Sequence, residues 1–137
     1  MRLPVKLVAM ALAIAIPAAA FAQGGSMQRQ KMMPMKAPAS KQVTITGTVV
    51  DVSCKFGQGL GGADHKMCAE VCSDRGLPLA VLGDDGKLYI PASPAMPGDP
   101  QNGQLKAFAE KRVKISGKAF AAGGAQAIQI SSIAAAQ

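Results

Sequence analysis

The chain has 137 residues with 15 Lys and Arg, 8 Asp and Glu, and three cysteines. This length suits one small domain with a modest hydrophobic core. The net charge of +7 is weak evidence for any partner. The absence of Trp and an aromatic content of 4% argue against a base-stacking surface, so nucleic acid should bind only weakly and in a salt-sensitive way.

Residues 1–22 have the pattern of a secretory signal peptide. Arg2 and Lys6 precede the apolar run "LVAMALAIAIPAAA", and the small-residue stretch "AFA" precedes Gln23. The apolar run is shorter than the roughly 20 residues that a membrane span needs. Cleavage after Ala22 and export to a bacterial periplasm are therefore predicted, without a membrane span in the mature protein.

Residues 23–41 lack a hydrophobic period and are rich in Gln, Lys, Pro, Ser and Met, which predicts a disordered linker. The linker contains four methionines, whose thioethers favour Cu(I). Copper collection and simple composition drift are both open readings of these methionines, which are Met27, Met32, Met33 and Met35.

The stretch "QVTITGTVVDVSC", residues 42–54, predicts a long first strand. Val43 and Ile45 occupy odd positions, whereas Val50 and Cys54 occupy even ones. This change of phase near Gly47 predicts a β-bulge or a glycine kink in one bent strand and directs Cys54 inward.

A helix over residues 65–75 is predicted next, after a flexible stretch over 55–63. Asp64 is its expected N-cap, and Gly76 with Pro78 just beyond is its expected end. The remaining predicted elements are a hairpin of 77–82 and 87–92 around "GDDG", a loop over 93–103, a short helix over 104–111, and strands over 112–120 and 127–133.

Five strands with a helix between the third and the fourth predict a mainly β protein with an OB-fold-like Greek-key barrel over residues 42–133. A short Cys/His helix is inserted between the first two strands. The stretches "VTITGTVVDVSC" and "RVKISGKAF…AIQISSI" resemble the first and last two strands of small exported bacterial OB-fold proteins. The resemblance implies the fold more than a function. Unlike the nucleic-acid-binding members, this chain has a Cys/His helix in the first inter-strand connection.

The stretch "GADHKMCAEVCSDRG" brings the only histidine close to two of the three cysteines. On a helix, His65, Cys68 and Cys72 lie within about 60° of one another because each residue turns roughly 100°. Cys54, at the end of the first strand, can complete a Cys₃His set. Such a set suits Zn²⁺ and Cu(I), so a copper or zinc site is predicted.

The same cysteines also have other readings. Cys68 and Cys72 can belong to an ordinary amphipathic stripe with Met67 and Val71, and Cys54 can form a disulfide with either of them. Other thiol chemistry is a third possibility. Three cysteines are an odd number for a purely structural framework. The "CAEVC" spacing is similar to the CxxxC of exported copper-handling proteins, although those place the cysteines on a loop with a distant histidine.

The sequence predicts a binding protein rather than an enzyme. It has no Ser/His/Asp pattern, no paired carboxylates with a cleft, and a glycine-rich stretch "GQGLGG" that lacks the spacing of a phosphate-binding loop. The prediction is thus a periplasmic protein with a metal site formed by His65, Cys68, Cys72 and Cys54. The alternative is a disulfide-stabilised interaction module that binds another exported protein or a small ligand.

Overall fold

The computed structural model describes residues 38–137; the predicted signal peptide and most of the predicted linker lie outside this part of the chain. Short 3₁₀ turns at Ala63–His65 and Lys106–Phe108 accompany the regular elements. In chain order these elements are β1 (Ser40–Asp51), α1 (Val52–Gln58), α2 (Lys66–Asp74), β2 (Leu79–Gly83), β3 (Leu88–Pro91), α3 (Asn102–Leu105), β4 (Arg112–Ala122) and β5 (Ala125–Ala135).

The five strands form a closed barrel in the order β1-β2-β3-β5-β4. The long strand β1 pairs antiparallel with β4 over 40–48 and with β2 over 47–51, so it serves both sides of the barrel. Strands β3 and β5 close the barrel through a parallel pairing. The predicted OB-fold-like barrel is therefore confirmed, including the helices inserted after the first and third strands.

The barrel encloses one hydrophobic core. Its side chains come from all five strands and from α3, which contributes the fully buried Leu105. Each fully buried aliphatic side chain contributes about 1.5–3 kcal/mol relative to exposure. The core residues are Ile45, Val49, Leu79, Val81, Tyr89, Leu105, Val113, Ile115 and Ile128.

Of the two alternatives predicted near Gly47, a β-bulge or a glycine kink, the bulge is absent, because the register of β1 runs without a shift against both neighbours. A β-carbon at Gly47 would collide with the backbone carbonyl of Leu82, so glycine is needed for close strand approach. The change of apolar phase has another cause. Val49 belongs to the barrel core, whereas the next residue, Val50, lies on the opposite face of the strand and is also buried. Helices α1 and α2 contact β1, so apolar residues are favoured on both faces at the end of this strand.

Helix α1 was not predicted, since residues 55–63 had the composition of a flexible loop. Asp51 caps it: its Oδ1 accepts hydrogen bonds from the backbone N–H groups of Ser53 at 2.8 Å and Cys54 at 3.1 Å. Gly59, at φ 70°, ends it in the left-handed conformation. Cys54 thus lies in the first turn of α1 rather than at the end of a strand.

The predicted cap of the Cys/His helix is also wrong. Asp64 lies inside the preceding 3₁₀ turn, and His65 occupies the N-cap position of α2 without a capping side-chain hydrogen bond. The predicted end is confirmed. Gly76 has φ 86°, and the N–H of Leu77 donates to the carbonyl of Cys72 across the helix terminus.

The second predicted helix, 104–111, lies earlier in the chain than expected, as α3 and the following 3₁₀ turn over 102–108. Helical structure ends at Phe108 because the next residues pair with β1 instead. The N–H of Glu110 donates to the carbonyl of Val49 at 2.9 Å, and the N–H of Val49 donates to the carbonyl of Lys111 at 3.0 Å. This pairing holds Glu110 beside the end of β1.

Among the helices of residues 38–137, none combines the length and the apolar character required to cross a membrane.

Candidate metal centre

The predicted ligands meet where β1 passes into α1 and α2 packs alongside. Cys54, His65 and Cys68 each offer a ligand atom within 4.8 Å of the other two. Asp51, Cys54 and Cys72 form a second triad within the same limit. The structure therefore brings all four predicted residues together, as two triads that share the Cys54 sulfur, and it adds Asp51.

His65 presents one buried nitrogen without a partner. Its Nδ1 lies 2.9 Å from Oε1 of Glu110, and the two side chains are only 7% and 2% exposed. Its Nε2 is buried and has no hydrogen-bond partner. When the neutral ring carries its proton on Nδ1, the Nδ1–H group donates to the carboxylate and Nε2 keeps a free lone pair. This tautomer can bind a metal ion through Nε2.

Glu110 was not among the predicted site residues. Its Oε2 accepts a hydrogen bond from the N–H of Gly62 at 2.8 Å, so one carboxylate holds both the turn before α2 and the imidazole. Its backbone is in the left-handed region at φ 58°, which is unfavourable for a residue with a β-carbon. No local pattern in the sequence indicates this contact, because Glu110 lies 45 positions after His65.

Asp51 was also missed as a candidate ligand. It is fully buried, its Oδ1 caps α1, and its Oδ2 has no hydrogen-bond partner. The local signal was a charged residue at the end of the apolar run "TVVD", where an interior position requires a partner for the carboxylate.

Burial and the Asp51 carboxylate keep two of the cysteines protonated in the metal-free protein. Interaction with Asp51, followed by burial, raises the pKa of Cys72 to about 12. Burial, followed by Asp51, raises the pKa of Cys54. Burial also opposes ionisation of Asp51, but the backbone N–H groups of Cys54 and Ser53 and the proximity of the Cys72 and Cys54 thiols outweigh it and lower the Asp51 pKa. A cation that binds here must therefore displace thiol protons.

Exposure decreases from one side of the cluster to the other. Cys68 is exposed on α2, Cys72 is partly buried, and Cys54 and His65 are buried. An ion can thus reach the cluster from solvent at Cys68, while Asp51 lies at the enclosed end.

All three cysteines are free thiols. A disulfide would require two sulfurs about 2 Å apart. The Cys54 sulfur lies within 4.8 Å of the Cys68 sulfur in one triad and of the Cys72 sulfur in the other. The two disulfides that the sequence allows, Cys54 with Cys68 or with Cys72, would therefore each join neighbouring sulfurs. The same arrangement serves thiolate coordination of Zn²⁺ or Cu(I).

Comparison with models of known protein families, with curated proteins and with solved structures finds no match to this chain in any of the three.

Proposed function

We propose that this chain is a periplasmic, non-catalytic binding protein that holds a transition-metal ion, zinc or copper(I), on Cys54, His65 and Cys68, with Cys72 adjacent. The export signal predicted over residues 1–22 and the resemblance to small exported OB-fold proteins support the compartment. The barrel serves as the rigid support for the site.

The observation that carries the proposal is that His65, whose buried Nε2 has no hydrogen-bond partner, offers a ring nitrogen within 4.8 Å of the sulfurs of Cys54 and Cys68. Leaving a buried polar atom without a partner costs about 1–3 kcal/mol. A metal ion at this point removes that cost and uses the ring orientation that Glu110 imposes. Two thiolates and one imidazole are soft or borderline ligands, which suit Cu(I) and Zn²⁺ better than Mg²⁺ or Ca²⁺.

Elemental analysis and thiol titration of protein purified from the periplasm test the proposal. Reduced protein should bind Zn²⁺ or Cu(I) stoichiometrically, and Cys68→Ser should weaken that binding because a hydroxyl is a poor ligand for soft metals. Met67→Ala is the matched control, since Met67 is the exposed neighbour of Cys68 on α2. Zn²⁺ is the first probe because the linker methionines favour Cu(I).

Reduced wild-type protein that is folded and binds neither Zn²⁺ nor Cu(I) would refute the metal site. One disulfide with one free thiol in the isolated protein, together with a loss of about 2–5 kcal/mol of stability on reduction, would instead identify the structural crosslink.

A further inference from the structure

The capping role of Asp51 leaves one of its oxygens unexplained. Oδ1 accepts both capping hydrogen bonds of α1, whereas Oδ2 is buried without a partner. Asn or Ser caps a helix about as well as Asp does. The cap therefore does not account for a fully buried carboxylate, and the free oxygen indicates a missing cationic or donor partner.

Two sulfurs lie next to this carboxylate. The ligand atoms of Asp51, Cys54 and Cys72 are within 4.8 Å of one another, and these residues come from the end of β1, the first turn of α1 and the last part of α2. Their triad is distinct from that of Cys54, His65 and Cys68, but the Cys54 sulfur belongs to both.

We infer that Asp51, Cys54 and Cys72 form a second, inner metal position, joined through the Cys54 sulfur to the outer position of Cys54, His65 and Cys68. The inference rests on the proposed function and extends it. The inner position takes a borderline divalent cation, namely Zn²⁺, because zinc accepts carboxylate oxygen together with thiolate, whereas Cu(I) favours all-soft ligand sets.

The shared Cys54 sulfur sets the order in which an ion contacts the two positions. An ion enters at the exposed Cys68, is held with the buried Cys54 and His65, and meets the inner triad through a ligand that it already contacts. At the inner position the Asp51 carboxylate carries a negative charge, whereas the corresponding ligand of the outer position is the neutral imidazole of His65. The inner position is consequently the less exposed of the two, since Asp51 and Cys54 are buried and Cys72 is partly buried.

The test is Zn²⁺ binding by the reduced full chain, measured by competition with a chromophoric chelator. The double variant His65→Ala/Cys68→Ser removes both ligands that belong only to the outer position, and it should still bind one Zn²⁺. Adding Asp51→Asn, which retains an oxygen to cap α1, should weaken this binding by about tenfold or more because the amide is a much weaker zinc ligand. Asp85→Asn in the β2–β3 turn is the matched control and should leave the Zn²⁺ affinity unchanged.

Each outcome decides a separate point. A folded double variant that binds no Zn²⁺, when the wild type does, overturns the inner position and leaves the proposed function standing. Zn²⁺ retained by the double variant and unaffected by both Asp51→Asn and Cys72→Ser also overturns it. Wild-type binding that is weakened by Asp51→Asn but unchanged in His65→Ala and Cys68→Ser supports the inner position and refutes the outer one. No Zn²⁺ binding by reduced, folded wild type overturns both.

Discussion

Replacing Glu110 with Ala tests whether this carboxylate orients His65 for metal binding. The change removes the hydrogen bonds to His65 Nδ1 at 2.9 Å and to the N–H of Gly62 at 2.8 Å. The imidazole then loses the partner that fixes its tautomer. Loss of such a carboxylate partner typically lowers metal affinity by about 10–100-fold, so we expect Zn²⁺ binding to weaken by that factor.

The metal-free protein should lose stability as well. Leaving the buried Nδ1 of His65 without its acceptor costs roughly 1–3 kcal/mol of unfolding free energy. Ala retains the unfavourable left-handed backbone of position 110, at φ 58°. Glu110→Gly removes the same hydrogen bonds but relieves roughly 1–2 kcal/mol of backbone strain. It should therefore be more stable than Glu110→Ala, yet equally weak in Zn²⁺ binding.

Three measurements separate orientation from stability. Urea unfolding gives the stability order, chelator competition gives the Zn²⁺ affinity, and a long-range ¹H–¹⁵N spectrum reports the tautomer of the single histidine in the chain. Glu110→Gln offers an uncharged acceptor and should recover part of the affinity. If folded Glu110→Ala binds Zn²⁺ as tightly as wild type and shows the wild-type tautomer, the orienting role is refuted.

Three further predictions concern the barrel. Gly47→Ala should destabilise the protein in urea unfolding, because its methyl group would collide with the carbonyl of Leu82; wild-type stability would contradict this. Leu105→Ala should cost about 2–5 kcal/mol in the same assay, and a loss below 1 kcal/mol would mean that α3 does not seal the core.

Tyr89→Phe should raise the pKa of Asp85, which the tyrosine hydroxyl lowers by donating at 2.8 Å; an unchanged carboxyl titration by NMR would refute it. The folded pKa of Asp85 lies below 3.8, and that of Tyr89 is raised from 10.0 to about 12. The contribution of these two side chains to the free energy of unfolding should therefore decrease as pH falls below 3.8 or rises above 10.0.

The sequence by itself determined the barrel. Apolar residues alternate in the predicted strands 112–120 and 127–133 and on either side of Gly47 in the first, and a short apolar run marks 77–82. Since "GDDG" and the glycines after Ala122 separate the strand pairs, local periodicity and turn chemistry were sufficient for the strand order along the chain. It also determined that His65, Cys68 and Cys72 share a helical neighbourhood, because residues three and seven positions apart lie on one side of a helix.

Only the tertiary structure decided how these residues are divided and what supports them. Asp51 joined the cluster because it ends β1 as the cap of an unpredicted helix, and Glu110 joined it because residues 110–111 pair with β1 rather than extend a helix. Both contacts depend on packing between segments far apart in the chain. Periodicity reports only on neighbours within a few residues, whereas the positions of ligand atoms are fixed by where β1, α1 and α2 pack in space.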